Sequence, residues 1–156
     1  MEPQRSRRRR WLTAYAPLAI WIAVIIGLGS GLGAMNETSR FIRPLLEFLF
    51  PGTSPETLSV YHGYVRKLAH LMEYGILAVL ARRALVGFKR PDLGAITIVF
   101  VIASIDEINQ SFNSARTGTP VDVAIDLLGG VVGLAIGWMF RKAQTRRSTP
   151  SPELRG

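Results

Sequence analysis

VDVAIDLLGGVVGLAIGWMF, residues 121–140, decides the fold class. A hydrocarbon layer about 30 Å thick needs about 20 mostly apolar helical residues, and this stretch supplies that length. Its only charges, Asp122 and Asp126, sit near one end. Outward from it, three more apolar segments run roughly over 11–33, 66–86 and 93–112. The chain has 156 residues, of which 48% are hydrophobic, a size and composition that suit one small helical membrane domain. A soluble helix this apolar would keep a polar face, and segment 11–33 has none. The expected fold is therefore all-α and polytopic, with four transmembrane helices.

Between the first and second spans, Phe41, Ile42, Leu45, Leu46 and Leu49 recur at helical spacing, with Arg40, Arg43 and Glu47 among them. This pattern predicts a short amphipathic helix lying in the membrane interface or capping the bundle. Pro51-Gly52 should end it, a further helix should start near Ser54 or Pro55, and Gly63 should separate that helix from the second span. The expected organisation is a basic N-terminus over 1–10, a transmembrane domain over 11–140, and a basic disordered tail over 141–156.

Net charge is +8. Such a value suggests nucleic acid, but the bases sit in short blocks at span ends and no basic recognition helix is evident. Arg5, Arg7, Arg8, Arg9 and Arg10 precede the first span. Arg82, Arg83, Lys89 and Arg90 join the second to the third, and Arg141, Lys142, Arg146, Arg147 and Arg155 follow the fourth. Only Arg40, Arg43, Arg66, Lys67 and Arg116 are left for the other side. The positive-inside rule then places both termini in the cytoplasm, as a multi-pass protein of the cytoplasmic (inner) membrane. A signal peptide, or a loose twin-arginine signal over 6–12, is the rival reading of the N-terminus; three further spans speak against it. Cysteine is absent, which excludes disulfides and thiolate metal sites.

The informative residues are the polar ones inside the spans. Lys67, His70, Glu73 and Tyr74 recur at three- and four-residue steps on the second span, Asp106, Glu107 and Gln110 lie on the third, and Asp122 and Asp126 on the fourth. At 1.5 Å per residue, Glu73 lies about 10 Å below Arg66, Asp106 about 9 Å from Phe112, and Asp126 about 7 Å below Val121. Three helices of alternating direction thus bring their polar turns to one level. A charged residue at a helix centre costs roughly 2.5–3.5 kcal/mol, so these groups must pair or share a wet cavity. The structural alternative is a buried clamp, with Lys67 pairing an acid and Gln110 bridging. Gly129, Gly133 and Gly137 repeat every fourth residue and imply tight packing against another helix; Gly27 and Gly31 offer a similar pair on the first span.

RKLAHLMEYGIL (66–77), IDEINQ (105–110), and Arg116 followed by Asp122 and Gly129-Gly130 resemble, in that order, the motifs of the VanZ-like family of small bacterial membrane proteins. The similarity spans about residues 15–140. Asp126 departs from the pattern, which has asparagine there. The resemblance implies a role in the cell envelope; the family's namesake is associated with resistance to teicoplanin-type glycopeptide antibiotics.

On this reading an outward pocket binds or modifies an envelope lipid, a lipid-linked precursor or a glycopeptide. His70, Glu73, Asp106 and Glu107 are the candidate acid–base groups. Lys67, Gln110, Arg116, Asp122 and Asp126 are the candidate ligand-binding groups, with the cations suited to phosphate or carboxylate. Neither a serine nucleophile motif nor a phosphate-cradling glycine loop is evident, so the type of reaction stays open. No cofactor is expected, although one histidine among carboxylates also suits manganese, magnesium or iron. The competing function is a non-catalytic assembly factor or scaffold in which the polar cluster is only a clamp.

Overall fold

The computed structural model describes residues 2–29, 35–111 and 120–147. Among them are five α-helices and no strand: α1 (Glu2–Gly27), α2 (Met35–Leu49), α3 (Pro55–Ala84), α4 (Pro91–Ser111) and α5 (Pro120–Arg147). The expected succession of elements holds, with three differences.

First, α3 runs unbroken through Gly63. A mid-helix glycine costs about 1 kcal/mol against alanine, too little to stop a helix already propagating on both sides. Its start is where the sequence puts it: the Ser54 hydroxyl accepts from the Thr57 amide at 3.3 Å, and Pro55 stands in the first turn. Second, α1 extends back through the arginine block, and α5 continues past Phe140 to Arg147. Third, among the described residues only α5 is by itself long and apolar enough to cross a membrane. The apolar part of α1 is the shorter run Trp11–Gly27. α3 and α4 are interrupted by the very groups singled out above.

Between α2 and α3, Phe50-Pro51-Gly52-Thr53 makes a turn closed by the Thr53 amide on the Phe50 carbonyl at 3.4 Å. Gly52 has φ +82°, a backbone state that favours glycine, with proline ahead of it to fix the preceding φ.

α3 is the central helix and packs against all four others. Its tightest seam is with α5. A Cβ added at Gly129 would strike the Leu71 backbone, and one at Gly133 the Gly75 backbone, so the two helices touch main chain to main chain. Gly137 is different, because its added Cβ would meet only the ends of Arg141 and Val79. Gly27 has open space around it, and Gly31 lies outside the described residues. Tyr74, Leu77, Ala78, Ala81, Ala95, Val99 and Ala103 form the dry part of the core.

One end of the bundle carries the basic turn. There Arg82 pairs with Asp92 at 2.6 Å and Arg83 donates to the Thr13 carbonyl at 3.3 Å. Around its apolar core the bundle departs from a water-soluble protein in two ways, buried polar groups and a largely apolar outside. Asp106, Gln110 and Asp126 are buried, while large apolar side chains cover the outside of every helix. On α3 the outward stripe is Leu68, Met72, Ile76 and Val79; on α4 it is Phe100, Val101, Ile105 and Ile108; on α5 it is Leu128, Val131, Ile136 and Met139.

Candidate functional site

The site begins with one face of α3. His62, Val65, Arg66, Ala69, His70 and Glu73 recur at alternating steps of three and one, the signature of a continuous helical stripe, and all line a cavity of about 150 Å³. Ile25, Leu28 and Gly29 at the end of α1, Thr38 and Ile42 of α2, and Asp106 of α4 complete its wall. The cavity thus sits where α1, α2, α3 and α4 converge. Its α2 end, here the rim, carries Thr38, His62 and Arg66, its other end, here the floor, carries His70, Glu73 and Asp106, and the remaining lining is apolar apart from Gly29.

Asp106 is its fixed point. The carboxylate is 4% exposed and accepts from Gln110 Nε2 at 2.7 Å and, at the limit of bonding distance, from the Tyr74 hydroxyl at 3.5 Å. Gln110 stands one turn beyond it on α4 and Tyr74 reaches across from α3, so the clamp is made of neighbours that the helices supply without distortion. Gly29 allows α1 to close over the carboxylate, because a Cβ there would overlap Asp106 Oδ1. The backbone at 28–29 is a π-turn, a form in which a helix end often widens at a functional site. Asp106 also borders a shallower crevice between α1 and α4, lined by Ile26, Ile105, Ile108 and Asn109.

His70 lies one turn below Arg66, with its side chain 22% exposed, and faces Asp126 of α5 from Nδ1 to Oδ1 at 3.3 Å. That is ion-pair distance, yet neither atom meets hydrogen-bond geometry with any described residue. We read the contact as electrostatic rather than directional. Asp126 is 1% exposed and does not line the cavity. It backs His70 instead of meeting a ligand. Trp21 of α1 donates its indole N–H to the Glu73 carbonyl at 3.0 Å, which fixes α1 against the same turn of α3.

The residues singled out from sequence therefore separate. His70, Glu73 and Asp106 converge on the cavity, Gln110 holds Asp106, and Asp126 backs His70. Lys67 is exposed and does not line the cavity, because it stands about 100° round the helix from Arg66, which does. Glu107 and Asp122 are half-buried and line neither the cavity nor the crevice; Asp122 sits in the first turn of α5, where a carboxylate suits the helix dipole. Arg116 lies outside the described residues. Among the described residues no three histidine or carboxylate side chains form a group that could hold a metal ion.

Sequence reasoning passed over Thr38, His62 and Arg66. Thr38 Oγ1 and His62 Nε2 are 3.2 Å apart, joining α2 to α3 at the rim. Burial, together with the nearby Arg66 charge, holds the His62 imidazole below its ordinary range. The signal was available: His62, Arg66, His70 and Glu73 follow one another at four, four and three residues.

A family model described as VanZ/LLP1 matches residues 13–141. No curated protein and no solved structure matches the chain. The family match covers most of the length, and the chain belongs to the VanZ/LLP1 family.

Proposed function

We propose that this VanZ/LLP1 protein is a multi-pass protein of the bacterial cytoplasmic membrane, and that its cavity receives one end of an envelope amphiphile. In this reading α1, α3, α4 and α5 cross the bilayer, with α3 doing so from Arg66 to its end. Helix α2 lies in the outer interface, and both termini are cytoplasmic.

The observation that carries the proposal is the apolar outer surface set against buried polar groups. Leu68, Met72 and Ile76 face outward from α3, while Asp106, Gln110 and Asp126 are sealed inside. A chain in water would lose free energy by that arrangement, at about 25 cal/mol for each Å² of apolar surface left wet. A chain in lipid would gain from it. Arginines on the turn between α3 and α4, and at the start of α1 and the end of α5, support the orientation.

Size limits the ligand. A cavity of about 150 Å³ is large enough for a benzene-sized molecule. A glycopeptide or an undecorated lipid precursor cannot enter whole; a headgroup or chain end can. The floor offers His70 as a proton acceptor or donor with Asp126 behind it, and Glu73 and Asp106 as hydrogen-bond acceptors. This supports recognition of a polar end group. Proton transfer at His70 is the chemistry the site would add if the bound group is also modified. A role in tolerance of teicoplanin-type glycopeptides follows if the amphiphile is an antibiotic or its target lipid.

The clamp reading keeps one specific support, the bond of Gln110 to Asp106. The two readings part on His70. Expression of the chain in a susceptible bacterium should raise the teicoplanin concentration needed to stop growth, and His70→Ala should abolish the rise while leaving abundance and melting temperature unchanged. A collapse of abundance in His70→Ala, with function of the surviving protein intact, would assign the cluster to structure.

A further inference from the structure

We propose that Arg66, with Thr38 and His62, binds the phosphate group of an anionic lipid headgroup at the rim of the cavity. The inference rests on the reading of the cavity as a ligand site and names the chemistry its mouth selects.

Arg66 lines the cavity, yet among the described residues its guanidinium takes part in no hydrogen bond or ion pair. This is unusual company for such a group. A guanidinium offers five donors in a fixed fork that fits phosphate oxygens two at a time. The acid on its own stripe, Glu73, stands seven residues further along α3, about 10 Å along the helix axis. His62, one turn above, cannot serve as a second fixed charge, because burial and Arg66 itself keep it neutral. Among the described residues Arg66 is therefore the one permanent cation in the wall, and it stands one and two turns along α3 from His70 and Glu73, at the α2 end of the cavity.

That polarity decides where an anion can go. A phosphate at the floor would meet Glu73 and Asp106; at the rim it meets Arg66 and the Thr38–His62 pair, whose hydroxyl and ring hydrogens are the neutral side-chain donors there among the described residues. The rim is also the right height. Arg66 begins the proposed crossing segment of α3, which is the level of lipid phosphates. The wall beside it is apolar, with Ile25, Leu28, Ile42 and Val65 available to the first carbons of a lipid. Free phosphate would use the same donors but gain nothing from those four side chains.

The experiment uses the full chain purified in an uncharged detergent. Binding of dioctanoyl phosphatidylglycerol is compared with that of dioctanoylglycerol, which has the same tails and no phosphate, by native mass spectrometry. The phosphate-bearing lipid should bind at least about tenfold more tightly, the scale of one hydrogen-bonded charge. Arg66→Gln should remove that preference and Arg66→Lys should keep part of it. Lys67→Gln, next to it but outside the cavity, should keep all of it. Equal losses in Arg66→Gln and Lys67→Gln, or no loss in Arg66→Gln, would overturn the site in favour of diffuse surface charge. Melting of each variant shows that it is folded, and the lipid comparison on the unaltered chain stands without any variant.

Displacement of the lipid by inorganic phosphate would assign the site to phosphate in any form, and resistance to it would assign the site to lipid-borne phosphate. If both lipids bind alike and His70→Ala abolishes both, the cavity reading survives and the phosphate site does not. If neither lipid binds the unaltered chain, both fall.

Discussion

The two sides of α3 solve opposite problems. Towards α5 it presents Gly75 and the backbone of Leu71 to Gly133 and Gly129, and the helices close until main chain meets main chain. Towards α1, α2 and α4 it presents His62, Arg66, His70 and Glu73, and a cavity remains. The first side removes every atom that would hold the helices apart. The second inserts polar side chains that must be paired or kept wet, and so keeps the helices apart. One helix thus carries the rigid seam and the site, and the seam fixes the height at which His70 meets Asp126.

The comparison can be broken most severely at the seam. Gly133→Val places side-chain carbons in the Gly75 backbone and should cost about 3 kcal/mol, the upper range for overpacking, read as loss of folded protein in a denaturation series. Gly29→Ala attacks the cavity side. Its methyl group occupies the place of the Asp106 carboxylate, which is a terminal group and can yield, so about 1–3 kcal/mol is expected, with loss of any activity that needs Asp106 in place. Tyr74→Phe removes a hydrogen bond already stretched to 3.5 Å and should cost about 0.5 kcal/mol, because Gln110 still holds the same oxygen. Gly137→Ala is the sharpest control. It belongs to the same four-residue repeat as Gly133 but meets only the mobile end of Arg141 and the Val79 side chain. It should stabilise the fold by about 0.5 kcal/mol through lower backbone freedom in the unfolded chain. Equal losses at 133 and 137 would show that the seam is not local.

Much of this was legible in the sequence. Helix α2 announced itself by its apolar spacing and the Pro51-Gly52 stop, and the polar turns of α3, α4 and α5 could be brought level by counting residues. His70, Glu73 and Asp106 do share a cavity. What could not be read was rotation. Lys67 and Arg66 are adjacent in sequence, and only the packing of α3 against α1 and α2 decides which of them turns inward. Nor does spacing show that Asp126 stands behind His70 instead of beside it, since that depends on how far the glycines let α5 approach. Gly29 was visible only as one glycine among several. Its meaning comes from a carboxylate on a helix distant in sequence. Composition alone also made the four expected spans look more alike than the helices are: among the described residues α5 is long and apolar enough by itself, while α3 and α4 are not.

The central claim is that the apolar outer face of α3 meets lipid while its polar face meets water inside the bundle. The chain contains no cysteine, so single cysteines can be introduced without removing any. Intact cells carrying Ala69→Cys, on the cavity wall, or Met72→Cys, on the outward stripe, would be treated with a small membrane-impermeant thiosulfonate from outside. The account predicts modification of the cysteine at 69 and protection of the one at 72 until the membrane is dissolved and the protein unfolded. Rapid modification at 72 in intact membranes, with protection at 69, would put water on the wrong side of the helix and contradict it.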